Sequence, residues 1–150
     1  MANRIMRPMS IRERRGRDNP QEETAMLENS NATANLAVKD LERAKAFYEG
    51  TLGLKKVDEM GEELAVYKSG DTNINVYHSE FAGTNKATAV TWTVGSQIDA
   101  IVQKLKSKGV AFEHYEMPGL TLAGDIHVGH GMKVAWFRDP DGNILCLAGE

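Results

Sequence analysis

Cysteine is almost missing: Cys146 is the one thiol in 150 residues. A lone thiol excludes an intramolecular disulfide, and a reducing, cytoplasmic setting is the expected one. Long apolar runs are missing too. None approaches the ~20 residues a membrane helix needs, and none follows Met1, so neither a membrane span nor Sec export is expected. Positive charge is not in surplus, since 18 Lys+Arg face 21 Asp+Glu for a formal net charge of -3. That balance supplies no basic surface for nucleic acid. No nucleophile elbow with a Ser-His-Asp order occurs, nor a phosphate-cradling glycine loop, nor a paired-carboxylate strand pattern. What is present, 41% hydrophobic and 26% charged residues, suits one domain large enough to bury a working core.

Lysine does not occur before Lys39, whereas Arg4, Arg7, Arg12, Arg14, Arg15 and Arg17 crowd the start. Residues 1–28 also lack helical or alternating periodicity, and read as a flexible Arg-rich extension. Asp18, Glu22, Glu23 and Glu28 weaken a basic-arm or targeting role. Residues 29–150 read as the folded domain.

That domain repeats itself. An alternating strand over 33–38 leads to Asp40 as N-cap, with Leu41, Ala44, Phe47 and Tyr48 at helical spacing and Gly53 as the stop. A second alternating strand over 89–94 leads to Ser96 as N-cap with Asp99 at the capping-box position, then Ile98, Ile101, Val102 and Leu105, and Gly109 as the stop. Val38 and Val94, Asp40 and Ser96, Gly53 and Gly109 stand at one constant offset. Strand-like runs follow each helix, at 54–59, 63–68 and 74–78 in the first copy and at 111–115, 133–138 and 144–147 in the second. Similar turns, 70–72 and 139–142, join the last two strands of each. Modules of strand, helix and three strands thus occupy about 31–80 and 87–149. Residues 117–131, with four glycines, have no counterpart in the first copy and read as a surface or binding loop.

Alternation assigns faces. If Leu36 and Val38 face the helices, then Asn35, Asn73, Asn75, Tyr77, Thr91 and Thr93 lie on the other side, which is polar but uncharged. Two such sheets curled together would make a cup for a small polar organic ligand. The alternative is a solvent-facing side.

The segments 35–48 (Asn-Leu-Ala-Val-Lys-Asp-Leu-Glu-Arg-Ala-Lys-Ala-Phe-Tyr), Leu52-Gly53-Leu54 and Trp136-Phe137-Arg138-Asp139-Pro140-Asp141-Gly142-Asn143 resemble the glyoxalase/bleomycin resistance/dioxygenase proteins, the vicinal oxygen chelate superfamily. The resemblance covers about 31–148. It implies an α+β fold of two paired βαβββ modules forming a cup-shaped mixed sheet, and commonly a homodimer with two cups. It does not imply one reaction. Metal-dependent members place His, Gln or Glu near the start of each module's first strand, and Glu late in the last strand. Here those positions read Thr33, Asn75, Ala89 and Cys146, so no metal and no cofactor are expected.

The resulting expectation is a protein that binds a small polar organic ligand without metal. Asn35, Asn75, Tyr77, Thr91 and Cys146 line the cup, Tyr115 and Trp136 form a ring wall, and His130 reaches over from the loop. The alternative is a metal-dependent lyase, isomerase or dioxygenase of the glyoxalase or dioxygenase type with an atypical ligand set drawn from His127, His130 or Cys146. His127 and His130 themselves read as solvated loop histidines, and Cys146 lacks the electropositive neighbours that would make it a nucleophile.

Overall fold

In the computed structural model, which describes residues 26–150, the first module follows its sequence pattern closely. Strand β1 (Ala34–Val38) buries Leu36 and Val38 and turns Asn35 outward. Asp40 caps helix α1 (Leu41–Lys45), its carboxylate accepting the Arg43 N–H at 3.1 Å. The helix widens into a π-helical turn, Ala46–Thr51, that carries Tyr48 into the core. Strands β2 (Lys55–Met60), β3 (Leu64–Ser69) and β4 (Thr72–His78) form an antiparallel meander, and β4 pairs parallel with β1 to give the order β1-β4-β3-β2. Residues 33–150 form one compact unit. Of the expected N-terminal extension, residues 1–25 lie outside the described residues; Leu27–Asn29 makes a short 3-10 turn.

The second module keeps the plan and changes two details. Strand β5 (Thr88–Gly95) leads to helix α2 (Ile98–Ser107), but the expected capping box does not form. Gly95, at φ 56°, bends the chain into a turn closed by the Gln97 N–H on the Val94 carbonyl. The helix therefore starts after Gln97, and Asp99 accepts the Lys133 ammonium instead.

The other change is larger. Strand β6 is only Phe112–Glu113, and the presumed loop 117–131 holds a hairpin, β7 (Thr121–Ala123) and β8 (Ile126–Gly129). Strands β6 and β8 share one edge of β9 (Met132–Arg138), and β10 (Ile144–Gly149) takes the other edge and pairs parallel with β5. Glycine content here marks tight turns within a sheet rather than irregular backbone. His130 and Gly131, both at positive φ (52° and 72°), make the two-residue link from β8 to β9 that matches strand twist.

Both modules contribute to one core. Leu36, Val38, Tyr48, Tyr67 and Val76 of the first pack in one cluster with Ile98, Val102, Phe137 and Leu145 of the second. The 139–143 turn clasps the modules together. Asn143 Nδ2 donates to the Ala37 carbonyl at 2.8 Å, the Lys39 N–H donates to Asp141 at 3.1 Å, and the Arg43 guanidinium donates to the Pro140 carbonyl. At the centre is Asp139, 4% exposed, whose carboxylate accepts from Tyr48 Oη, Asn143 N, Asn143 Nδ2 and Asp141 N at 2.7–2.9 Å. A buried carboxylate is tolerated when its lone pairs are filled in this way. In sequence the pair Asp139/Asp141 reads as turn chemistry alone; in the fold it is the joint between modules.

Candidate functional site

The outward face of the second sheet carries an aromatic floor. Trp136 on β9 stands beside Cys146 on β10, which stands beside Thr91 on β5, so the three form one row across the sheet. Tyr115 meets Trp136 edge to face at 5.4 Å between ring centroids, and His127 meets Trp136 at 5.0 Å. Next to them opens a cavity of about 270 Å³ lined by Thr88, Tyr115, Met117, Trp136, Arg138 and Ile144, with Lys86 at its edge. The Trp136 indole N–H is taken by Thr88 Oγ1 at 3.2 Å, and the Arg138 guanidinium is held by Glu113 at 2.9 Å. The Tyr115 hydroxyl is buried and, among the described residues, has no hydrogen-bond partner.

His127 holds this wall in place. It is 1% exposed, which corrects its reading as a solvated loop histidine. Its Nε2 accepts the Tyr115 N–H at 2.9 Å, which requires the proton on Nδ1, facing the Val134 carbonyl at 3.3 Å. Alternation in Ile126-His127-Val128 would turn His127 outward; it is the Tyr115 and Trp136 rings packed over that face that bury it, a contact no local pattern signals. His130 is elsewhere. At the exposed β8–β9 turn its ring packs on Gly119, where an added Cβ would clash with Nε2, and it does not line the Trp136 cavity.

The remaining candidates sit on the first sheet. Asn35 and Asn75 are register partners and bond to each other, Asn75 Nδ2 donating to Asn35 Oδ1 at 3.1 Å, and Tyr77 follows on the same face. Their outward, polar position agrees with the alternation. The structure joins Asn35, Asn75 and Tyr77 in one group and Thr91, Cys146, Trp136 and Tyr115 in another. Because the helix-side faces of both sheets turn into the shared core, the two polar faces look away from it, and neither the Trp136 cavity nor the three other prominent cavities is lined by both groups.

The donor set does not fit a divalent metal. Parallel register with a shift near the start of β10 puts Thr91, not Ala89, beside Cys146, and Asn75 is engaged with Asn35. A methyl, a hydroxyl, an occupied amide and a protonated thiol offer neither the charge nor the number of ligands that a divalent metal site needs. Among the described residues, no three His, Cys, Asp or Glu side chains gather.

Burial pushes the Cys146 thiol above its ordinary pKa, with a hydrogen bond from Thr91 opposing that shift more weakly. The thiol therefore stays protonated near neutrality, as expected of a sulfur that packs rather than attacks. Alkylation of the native protein at pH 8 should be on the order of 100-fold slower than in urea. Equal rates would mean an exposed or activated thiol.

A model of the Glyoxalase/Bleomycin resistance protein/Dioxygenase superfamily matches residues 31–147. Among solved structures, lactoylglutathione lyase from Agrobacterium tumefaciens superposes with a TM-score of 0.62 at 18% identity, over 83% of this chain and 96% of that one. The fosfomycin resistance protein FosX from Mesorhizobium loti gives 0.60 at 15% identity, over 83% and 94%. An integron cassette protein from the mobile metagenome of V. cholerae gives 0.57 at 21%, over 83% and 98%. At these identities the likeness is one of fold. No curated protein matches the sequence. Two βαβββ units, their clasping turn and the span of the match lead to one conclusion: the chain belongs to the Glyoxalase/Bleomycin resistance protein/Dioxygenase superfamily.

Proposed function

We propose that this protein binds a small organic molecule on the polar face of its second sheet, without a bound metal. The observation that carries the proposal is the cavity beside Trp136, walled by the Trp136 and Tyr115 rings with Met117 and Ile144 and bordered by few polar groups. Lys86 and Arg138 on the rim favour a ligand that is flat or apolar over the indole and carries an acceptor or anionic group. Thr91 and Cys146 extend the same face as a neutral hydrogen-bonding shelf.

The other half of the cup is supplied by a second copy. Within one chain the amide-rich face of Asn35, Asn75 and Tyr77 looks away from the core and covers nothing. Two copies exchanging faces would bring that surface over Trp136 and make two equal cups, the economy of a closed two-fold dimer. No described helix is long and apolar enough to cross a membrane, and the unpaired Cys146 suits a reducing compartment.

Thermal-shift screening against small aromatic and aliphatic acids tests the reading. A ligand present at 100 times its Kd adds about 2.7 kcal/mol to apparent stability. Compounds that stabilise the native chain should lose most of that effect in Tyr115→Leu and in Trp136→Leu, which remove the rings that wall the cavity. Stabilisation that persists in both variants would place the ligand elsewhere.

A further inference from the structure

A cavity larger than the one beside Trp136 lies on the opposite side of the second sheet. It is an open groove of about 600 Å³ between the modules, where the chain after the π-helical turn and the β3–β4 turn meet β5 and α2. Its floor is apolar: Trp92, Val94, Ile101, Leu105, Phe137 and Leu147. Phe137, Leu147 and Leu105 are buried, but Trp92, Val94 and Ile101 remain only half-covered, so the core is left open along this line. The single indole donor there is already used, Trp92 Nε1 bonding Ser69 Oγ at 2.8 Å.

Charge at the mouth is arranged against stability. Lys55 and Lys68 both line the groove and stand directly opposite each other in the β2–β3 ladder. Like charges in that position repel. Among the described residues neither ammonium lies within 4 Å of a carboxylate, whereas Lys45, Lys56, Lys106 and Lys133 each have one. Among the described residues Asp71 is the only acid lining the groove, against Lys55 and Lys68, which leaves the mouth net positive.

We infer that this inter-module groove is a second binding site, for an amphipathic organic anion whose apolar chain or ring lies along Trp92, Ile101 and Leu105 and whose carboxylate meets Lys55 and Lys68. The size and the apolar lining with few polar groups fit a small-molecule site. The ligand supplies the negative charge the lysine pair lacks. This site shares no residue with the Trp136 cavity, so either can fail without the other.

The probes are decanoate and decanol, used below micellar concentration on the full chain. Calorimetry should show saturable binding of decanoate, tighter than decanol by roughly tenfold, about what two surface ion pairs provide. In Lys55→Gln/Lys68→Gln that preference should vanish, while the variant melts no lower than the native chain because a repulsive pair has been removed. In Trp136→Phe, where Trp92 is the one indole left, decanoate should shift the emission to the blue. No saturable binding, equal affinity for acid and alcohol, or a preference that survives the double substitution would each overturn the inference. So would a ligand-free Trp92 emission that changes with protein concentration, which would show the groove filled by a second copy.

Discussion

Asp139→Ala is expected to cost about 4 kcal/mol and to lower Tm by roughly 10 °C, the largest effect of any single change considered for this chain. The substitution strips the acceptor from four donors at once: the Tyr48 hydroxyl, two backbone N–H groups and the Asn143 amide. Each donor left dry costs about 1–3 kcal/mol, and some relaxation toward water offsets the sum. Tyr48→Phe should cost about 1 kcal/mol, and the double variant should cost less than the two added, because they share one bond. Tyr67→Phe is the contrast. Its hydroxyl is buried and, among the described residues, makes no hydrogen bond, so its loss should be neutral within about 0.5 kcal/mol. Urea unfolding followed by far-UV circular dichroism measures all four.

The same bond sets a limit at alkaline pH. Burial first, and the Asp139 carboxylate second, hold the Tyr48 phenol well above its ordinary pKa of 10.0. A group whose folded pKa is raised contributes stability that is complete below its unfolded pKa and is lost as pH rises beyond it. Stability should thus fall above about pH 10, and fall less steeply in Tyr48→Phe.

His127→Ala should be the second-largest loss, about 3 kcal/mol, as a buried ring is removed and the Tyr115 N–H loses its acceptor. Because His127 also packs against Trp136, the near-UV dichroism of the aromatic floor should weaken while far-UV dichroism is retained. Ligand affinity at the Trp136 cavity should drop with it. Full stability in His127→Ala would show that the hairpin β7–β8 does not rest on that ring.

Much of the scaffold was legible because local physics and fold agree. Leu36 and Val38 bury as period-two alternation requires, and Asp40 caps as its carboxylate allows. What was missed has local causes. In sequence Gly124 and Gly131 suggest a loop, whereas each sits at positive φ where a hairpin turns. Ser96 looked like a cap until Gly95 bent the chain past it. Alternation also assigned Asn75 and Cys146 to polar faces correctly, but it carries no information on how two sheets dock. Only the packed core shows those faces looking apart. Trp136 and Tyr115 were recognisable as a ring wall. The hydroxyl without a partner was not, since satisfaction depends on the whole neighbourhood.

The central claim is that the second-sheet face holds its ligand without a metal ion. The direct measurement is calorimetric titration of a stabilising organic acid into protein stripped with chelator, and again after addition of Ni, Zn, Mn or Fe(II). The predicted result is one Kd, unchanged within about twofold across all samples, with no stoichiometric metal retained. Retention of one tightly held ion per chain, with binding or turnover that disappears when it is removed, would contradict the account.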